Sequence, residues 1–287
     1  MKNVKAVQPV LSYKIAEQLN SCRALENSIA AEGRDIETLH DYRVALRRCR
    51  ALLGLFREAY PPPFRKVLSQ GLKELAHNTS QLRDLDVFLS LHAQYQSWVA
   101  DKRVPDLDLF FGAIAANQQQ QAAQLQQWLG SYRYKQAMQQ LVEFFTTYSQ
   151  SPEACRDDKQ VKKAVKAAIA RQRKKINRIT EAIERDGREQ EIHQLRIEYK
   201  KLRYLLEAFG YLFKKDKFRE PLRQLKQQQE TLGQFNDCAV QLASIENFSA
   251  LMPEQVDRGF IARLQKKLTG KKIKLQVTIL QQLAAQA

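Results

Sequence analysis

HDYRVALRRCRALLGLF at 40–56 and HQLRIEYKKLRYLLEAF at 193–209 are separated by 153 positions and read as two versions of one helix. At about 100° per residue, His40, Arg43, Arg47 and Arg50 fall within a span of about 80° on one side of that helix. Ala45, Leu46, Cys49, Leu52, Leu53 and Phe56 occupy the opposite side, which marks it as the packing face. His193, Arg196, Lys200 and Arg203 repeat the stripe, opposed by Tyr199, Leu202, Leu205, Leu206 and Phe209. Four cations on one face, with no acidic residue at i±4 to neutralise them, disfavour an isolated helix and call for a compensating partner.

The repeat extends beyond these helices. Residues 40–87 align with 193–240 without a gap, and 11 of the 48 positions are identical, among them Lys73/Lys226 and Asp84/Asp237. A one-residue change of offset brings Gly33 onto Gly187. Such self-similarity predicts two copies of one helical unit related by a pseudo-twofold axis, with an offset of about 153 residues.

Punctuation by Gly, Pro and polar clusters cuts the rest of the chain into helices at about 10–32, 35–59, 63–78, 83–101, 106–130 and 132–149. A second set runs at about 158–186, 189–213, 216–232, 237–249, 253–269 and 271–285. The expected fold is all-α: one domain over 1–287, built as two antiparallel helical bundles at 8–150 and 158–287, joined by a linker at 150–158. Only 18 of the 287 residues are Gly or Pro, which argues against sandwiches, barrels and Gly-rich nucleotide folds. The glutamine-rich run NQQQQAAQLQQ at 117–127 fits a solvated helix face.

With 47 Lys+Arg against 31 Asp+Glu the formal charge is +16. The excess is uneven: residues 1–150 carry 18 cations and 14 acids, leaving 29 and 17 for the remainder. That points to a polyanionic partner or an anionic surface. No apolar run approaches the roughly 20 residues that cross a bilayer, and the first residues lack an apolar signal core, so a soluble cytoplasmic protein is expected. Cys22, Cys49, Cys155 and Cys238 are scattered through helical patterns and signal neither a disulfide framework nor zinc.

A single basic stripe is usually a solvated face. The same four positions filled twice at a fixed offset demand more, because a solvated face does not specify where His or Arg stands. Guanidinium forks match phosphate or carboxylate oxygens, so two facing stripes would line a channel for a long polyanion. Lys66 and Lys73, matched by Arg219 and Lys226, form a weaker second set. His40 and His193 lack a ligating neighbour at i+3 or i+4, so no metal site is expected. Asp84 and Asp237 read as helix caps or as carboxylates that orient an arginine. No nucleophile, paired carboxylates or phosphate-cradling loop accompanies them, so neither catalysis nor a cofactor is expected.

The duplicated H-x-x-R-[VI]-x-x-[RK]-[RK]-x-R element, with LRDLDV at 82–87 and LGQFNDCAV at 232–240, resembles the CHAD family, the conserved histidine α-helical domain, over about residues 8–285. The resemblance implies two pseudo-symmetric helical bundles and a basic cavity between them that binds inorganic polyphosphate, with targeting to polyphosphate granules. By motif position it implies phosphate contacts from His40, Arg43, Arg47, Arg48 and Arg50, and from His193, Arg196, Lys200, Lys201 and Arg203. Other polyanions are possible partners on this reading. The alternative is an RNA or DNA backbone binder, which is weaker because only Tyr204 interrupts the stripe as a stacking aromatic would.

Overall fold

The computed structural model describes residues 2–31, 33–149, 158–213, 216–252, 254 and 256–284, without the side chains of 2–5, 158, 186 and 216–222. The linker expected at 150–158 lies, but for the backbone of residue 158, outside the described residues, as do Cys155 and the side chain of Arg219.

Within the described residues the chain is helical and without strands, as the composition predicts. Its helices are α1 (Lys2–Ala30), α2 (Ile36–Leu55), α3 (Pro62–His77), α4 (Ser80–Leu89), α5 (His92–Gln96), α6 (Val104–Gly130) and α7 (Tyr132–Ser149). They continue with α8 (Asp158–Asp186), α9 (Glu189–Phe209), α10 (Asp216–Phe248) and α11 (Gly259–Ala284). Short 3-10 turns at Arg57–Ala59 and Gly210–Leu212 follow α2 and α9.

Several boundaries differ from the expected ones. The first helix begins before Pro9 and carries it inside. The expected pairs at 216–232 and 237–249, and at 253–269 and 271–285, are instead the long helices α10 and α11, bar residues before 259. Gly233 and Gly270 sit inside them because a single glycine costs only about 1 kcal/mol in a helix, well within what a buried face supplies. The segment expected as one helix at 83–101 breaks into α4, α5 and a turn.

The helix carrying the first basic stripe has a defined start. Gly33 takes φ of +69°, a conformation glycine tolerates, and Asp35 then caps α2 by accepting from the Glu37 amide at 3.0 Å. Gly187, at φ of +61°, closes α8 by donating its amide to the Ile183 carbonyl at 2.7 Å, which turns the chain into α9.

The packing faces predicted for α2 and α9 are buried, and the rings of Phe56 and Phe209 meet edge to face at 5.5 Å between them. The hydrophobic core does not divide where the sequence halves do. One cluster joins α1, α2 and α7 to α8 and α9; a second packs Leu85, Phe88, Phe110 and Phe111 against Ile245, Phe260 and Leu264. Cys22, Cys49 and Cys238 are free, buried thiols, and burial pushes Cys22 up to about 12. No helix among the described residues is long and apolar enough to cross a membrane.

Candidate functional site

Because α2 and α9 bury their apolar faces, their basic stripes turn toward α4 and α10, and these four helices together with α3 line a cavity of about 900 Å³. His40, Arg43, Arg47 and Arg50 reach it from α2, Arg196, Lys200 and Lys201 from α9, and Lys73 from α3. Arg83 joins them, so eight Lys and Arg side chains face two carboxylates, Asp84 and Asp237. Arg83 was legible only as part of LRDLDV; no helical stripe pointed to it.

These cations crowd one another. Burial first, then the charges of Arg196, Arg47 and Arg203, lower Lys200 to about 7, with Asp237 opposing. Burial and Arg83 likewise lower His40, with Arg47 adding to the shift and Glu37 and Asp41 resisting it. Arg47 thus acts on groups of both stripes. An anion entering the cavity would relieve this repulsion.

Arg43 and Arg196 occupy equivalent places in the two motifs but are held differently. Arg43 donates from Nη1 to the Ala76 carbonyl, Thr79 Oγ1 and Ser80 Oγ at 3.0, 2.9 and 3.0 Å, acceptors made available by the break between α3 and α4. In the second half α10 runs unbroken, and the nearest carboxylate oxygen to Arg196 is on Asp237 at 3.8 Å. The Arg196 Nε is buried without a hydrogen-bond partner among the described residues.

Asp84 and Asp237 lie inside α4 and α10 and cap neither helix. Asp237 stands beside Arg196, its carboxylate 3.8 Å from Nη2. Asp84 remains accessible at the cavity wall; its enclosure raises its carboxyl from the ordinary value, while Arg43 and Arg83 pull the other way.

Five other sequence candidates do not line the cavity. Arg203 Nε lies 3.4 Å from Glu207, and Arg48 Nη2 donates to the same carboxylate at 3.5 Å from across the α2–α9 contact. The expectation that no acid stands at i±4 of the stripe therefore fails for Arg203, whose i+4 neighbour is Glu207, and for His193, whose i−4 neighbour is Glu189. His193 is exposed and pairs through Nδ1 with Asn236 Oδ1 at 2.6 Å, and Asn236 is the residue that lines the cavity. Lys66 and Lys226 point to solvent. Lys201 does line the cavity, yet it also donates to the buried Glu198 at 2.9 Å, which takes Lys175 and Gln172 as well. Burial would raise Glu198, but these donors together hold its carboxyl below the usual range.

Comparison with known proteins bears on this arrangement. The family model for the CHAD domain matches residues 14–246. A crystal structure of the CHAD domain from the plant Ricinus communis superposes with a TM-score of 0.79 at 21% identity, covering 97% of this chain and 92% of that one. PptA from Streptomyces chartreusis superposes at 0.69 with 13% identity, covering 98% of this chain and 99% of its own. At such identities these likenesses show the fold. No curated protein sequence matches the chain.

Proposed function

The chain belongs to the CHAD domain family, and from that premise we propose that it is a non-enzymatic binder of inorganic polyphosphate. The family is associated with polyphosphate binding in general. The observation that carries the reading here is the single cavity into which both basic stripes project, with eight Lys and Arg side chains against two carboxylates. Arg83 donates to the Ile36 carbonyl and lies 3.6 Å from the Glu37 carboxylate, whereas Arg47, Arg50 and Lys73 make no side-chain bond to an acceptor among the described residues. They are available to phosphate oxygens as charge-assisted donors.

We further infer that the two halves, 8–150 and 158–287, are copies of one helical unit. Support comes from the matched order of α2 and α9, the turns at Arg57–Ala59 and Gly210–Leu212 at an offset of 153, and the left-handed Gly33 and Gly187. Targeting to polyphosphate granules would follow from binding the polymer itself.

An RNA or DNA reading gains little from this site. Phe88 and Tyr204 line the cavity, but they are 1% and 3% exposed and offer no face on which a base could stack. The test is competition between polyphosphate, single-stranded RNA and duplex DNA at one fixed salt concentration. Polyphosphate is expected to displace both; equal affinity for all three would reduce the cavity to diffuse charge.

A further inference from the structure

A second cavity of about 640 Å³ adjoins the basic one, and Asp84 and Ser244 line both. Its chemistry is different. Asp84 and His77 are the titratable groups on its wall, which is otherwise neutral. The glutamine-rich stretch of α6, read from sequence as a solvated face, supplies Asn117, Gln121 and Gln124; Gln81 comes from α4 and Asn247 from α10. Among the described residues none of these five amides has a side-chain hydrogen-bond partner, so each presents a free NH₂ donor and a free carbonyl acceptor. Leu125, Trp128 and Phe248 give the chamber its apolar wall.

Such a pair of chambers suits a molecule with two unlike ends. A continuous polyphosphate chain entering the second chamber would leave every arginine behind and pass the Asp84 carboxylate, which repels it. A carboxylate at that place accepts hydrogen bonds from sugar hydroxyls, as acidic residues do toward ribose in dinucleotide sites. Side-chain amides, donor and acceptor at once, match the mixed donor and acceptor edges of a nucleobase. Both volumes fall in the range of small-molecule sites, about 300–1,000 Å³.

We propose that the two adjoining cavities together form a site for a nucleoside polyphosphate, with the phosphates among Arg47, Arg50 and Lys200, the ribose at Asp84, and the base among the amides of Gln81, Asn117 and Gln121. This rests on the reading of the basic cavity as a phosphate site and adds a second ligand class to it. The nucleotide and the polymer compete for the same cations, so nucleotide occupancy lowers the affinity for polyphosphate.

The test is calorimetric titration of the full chain, at one ionic strength, with the four ribonucleoside triphosphates, 2′-deoxyATP and inorganic tripolyphosphate, and with AMP against ribose 5-phosphate. At least one nucleoside triphosphate is expected to bind about ten-fold more tightly than tripolyphosphate, the scale of one or two added hydrogen bonds. Gln121→Ala combined with Gln81→Ala is expected to abolish that preference and leave tripolyphosphate binding unchanged. Asp84→Asn is expected to narrow the difference between ATP and 2′-deoxyATP. Equal binding of all triphosphates, or a preference indifferent to the glutamine variants, would overturn the nucleoside chamber while leaving the phosphate cavity standing. A preference for ATP with AMP no tighter than ribose 5-phosphate would overturn base recognition. Failure of tripolyphosphate and long-chain polyphosphate alike would instead remove the phosphate reading on which the proposal rests.

Discussion

Arg203 and Glu207 lie one turn apart on α9, with Nε and Oε1 3.4 Å from each other, whereas the residue one turn after Arg50 on α2 is Gly54. The two arginines differ in the same way in their relation to the cavity. Arg50 lines it, and Arg203, drawn to Glu207 together with Arg48, does not.

The first prediction follows from this pairing. Glu207→Gln removes a carboxylate that holds two cations away from the polymer. Polyphosphate affinity should rise about three- to ten-fold, the net worth of about one ordinary hydrogen bond of roughly 0.7–1.4 kcal/mol becoming available at the partly exposed edge of the site. Gly54→Glu should act in reverse by drawing Arg50 aside. Direct titration of both variants checks this; unchanged affinity in Glu207→Gln would mean that Arg203 and Arg48 cannot reach the ligand.

The second concerns pH. Lys200 is lowered to about 7 in the free protein, and a bound polyanion would restore it toward its ordinary value. Binding should therefore take up a proton between those two values. Affinity is full below about pH 7 and falls as pH rises above it. His40, also lowered, adds uptake in the same direction at lower pH. Lys200→Arg should flatten the dependence above pH 7, measured as proton uptake by calorimetry in buffers of different ionisation heat. Stability runs the other way. The unfolded chain binds more protons at Lys200 between pH 7 and about 10.4, so stability should rise with pH there, and Lys200→Met should abolish that rise.

Much of this site could be read from the chain because helical periodicity is local. His40, Arg43, Arg47 and Arg50 share a face by spacing alone, and burying Leu46, Cys49 and Leu53 forces that face outward. What escaped notice depends on neighbours in space or on helix continuity. Arg83 reaches the cavity from α4, the glutamines of α6 meet Gln81 and Asn247 only through tertiary packing, and Arg43 finds its acceptors only because α3 breaks at 78–79. The helix ends expected at 232 and 269 do not occur, because Gly233 and Gly270 stay helical, whereas the chain turns to positive φ at Gly33 and Gly187.

The third prediction separates the two motif arginines. Arg43→Ala should destabilise the fold by about 1.5–3 kcal/mol, since its charged donor serves three acceptors at the α3–α4 junction. Arg196→Ala should leave folding nearly unchanged, because among the described residues its buried Nε has no partner and the one carboxylate within 4 Å stands at 3.8 Å. Its loss should instead weaken polyphosphate binding about ten-fold or more. Urea unfolding read beside binding decides the matter; equal destabilisation by both variants would contradict the asymmetry.

The fourth distinguishes a shaped site from net charge. Arg47 and Arg50 line the cavity, whereas Lys163 and Lys166 lie exposed on α8. Replacing either pair by Ala removes two positive charges and leaves helix propensity intact. Each phosphate neutralised releases condensed counterions, so by analogy with nucleic acids the slope of log affinity against log salt scales with the number of contacts. Arg47→Ala with Arg50→Ala should reduce that slope by about one to two and cost about 100-fold in affinity at a fixed, moderate salt concentration. Lys163→Ala with Lys166→Ala should leave the slope in place and weaken binding only through the long-range field, which salt of about 0.15 M screens within about 8 Å. Equal losses from both pairs, converging as salt is raised, would show that diffuse charge rather than the paired stripes holds the polymer.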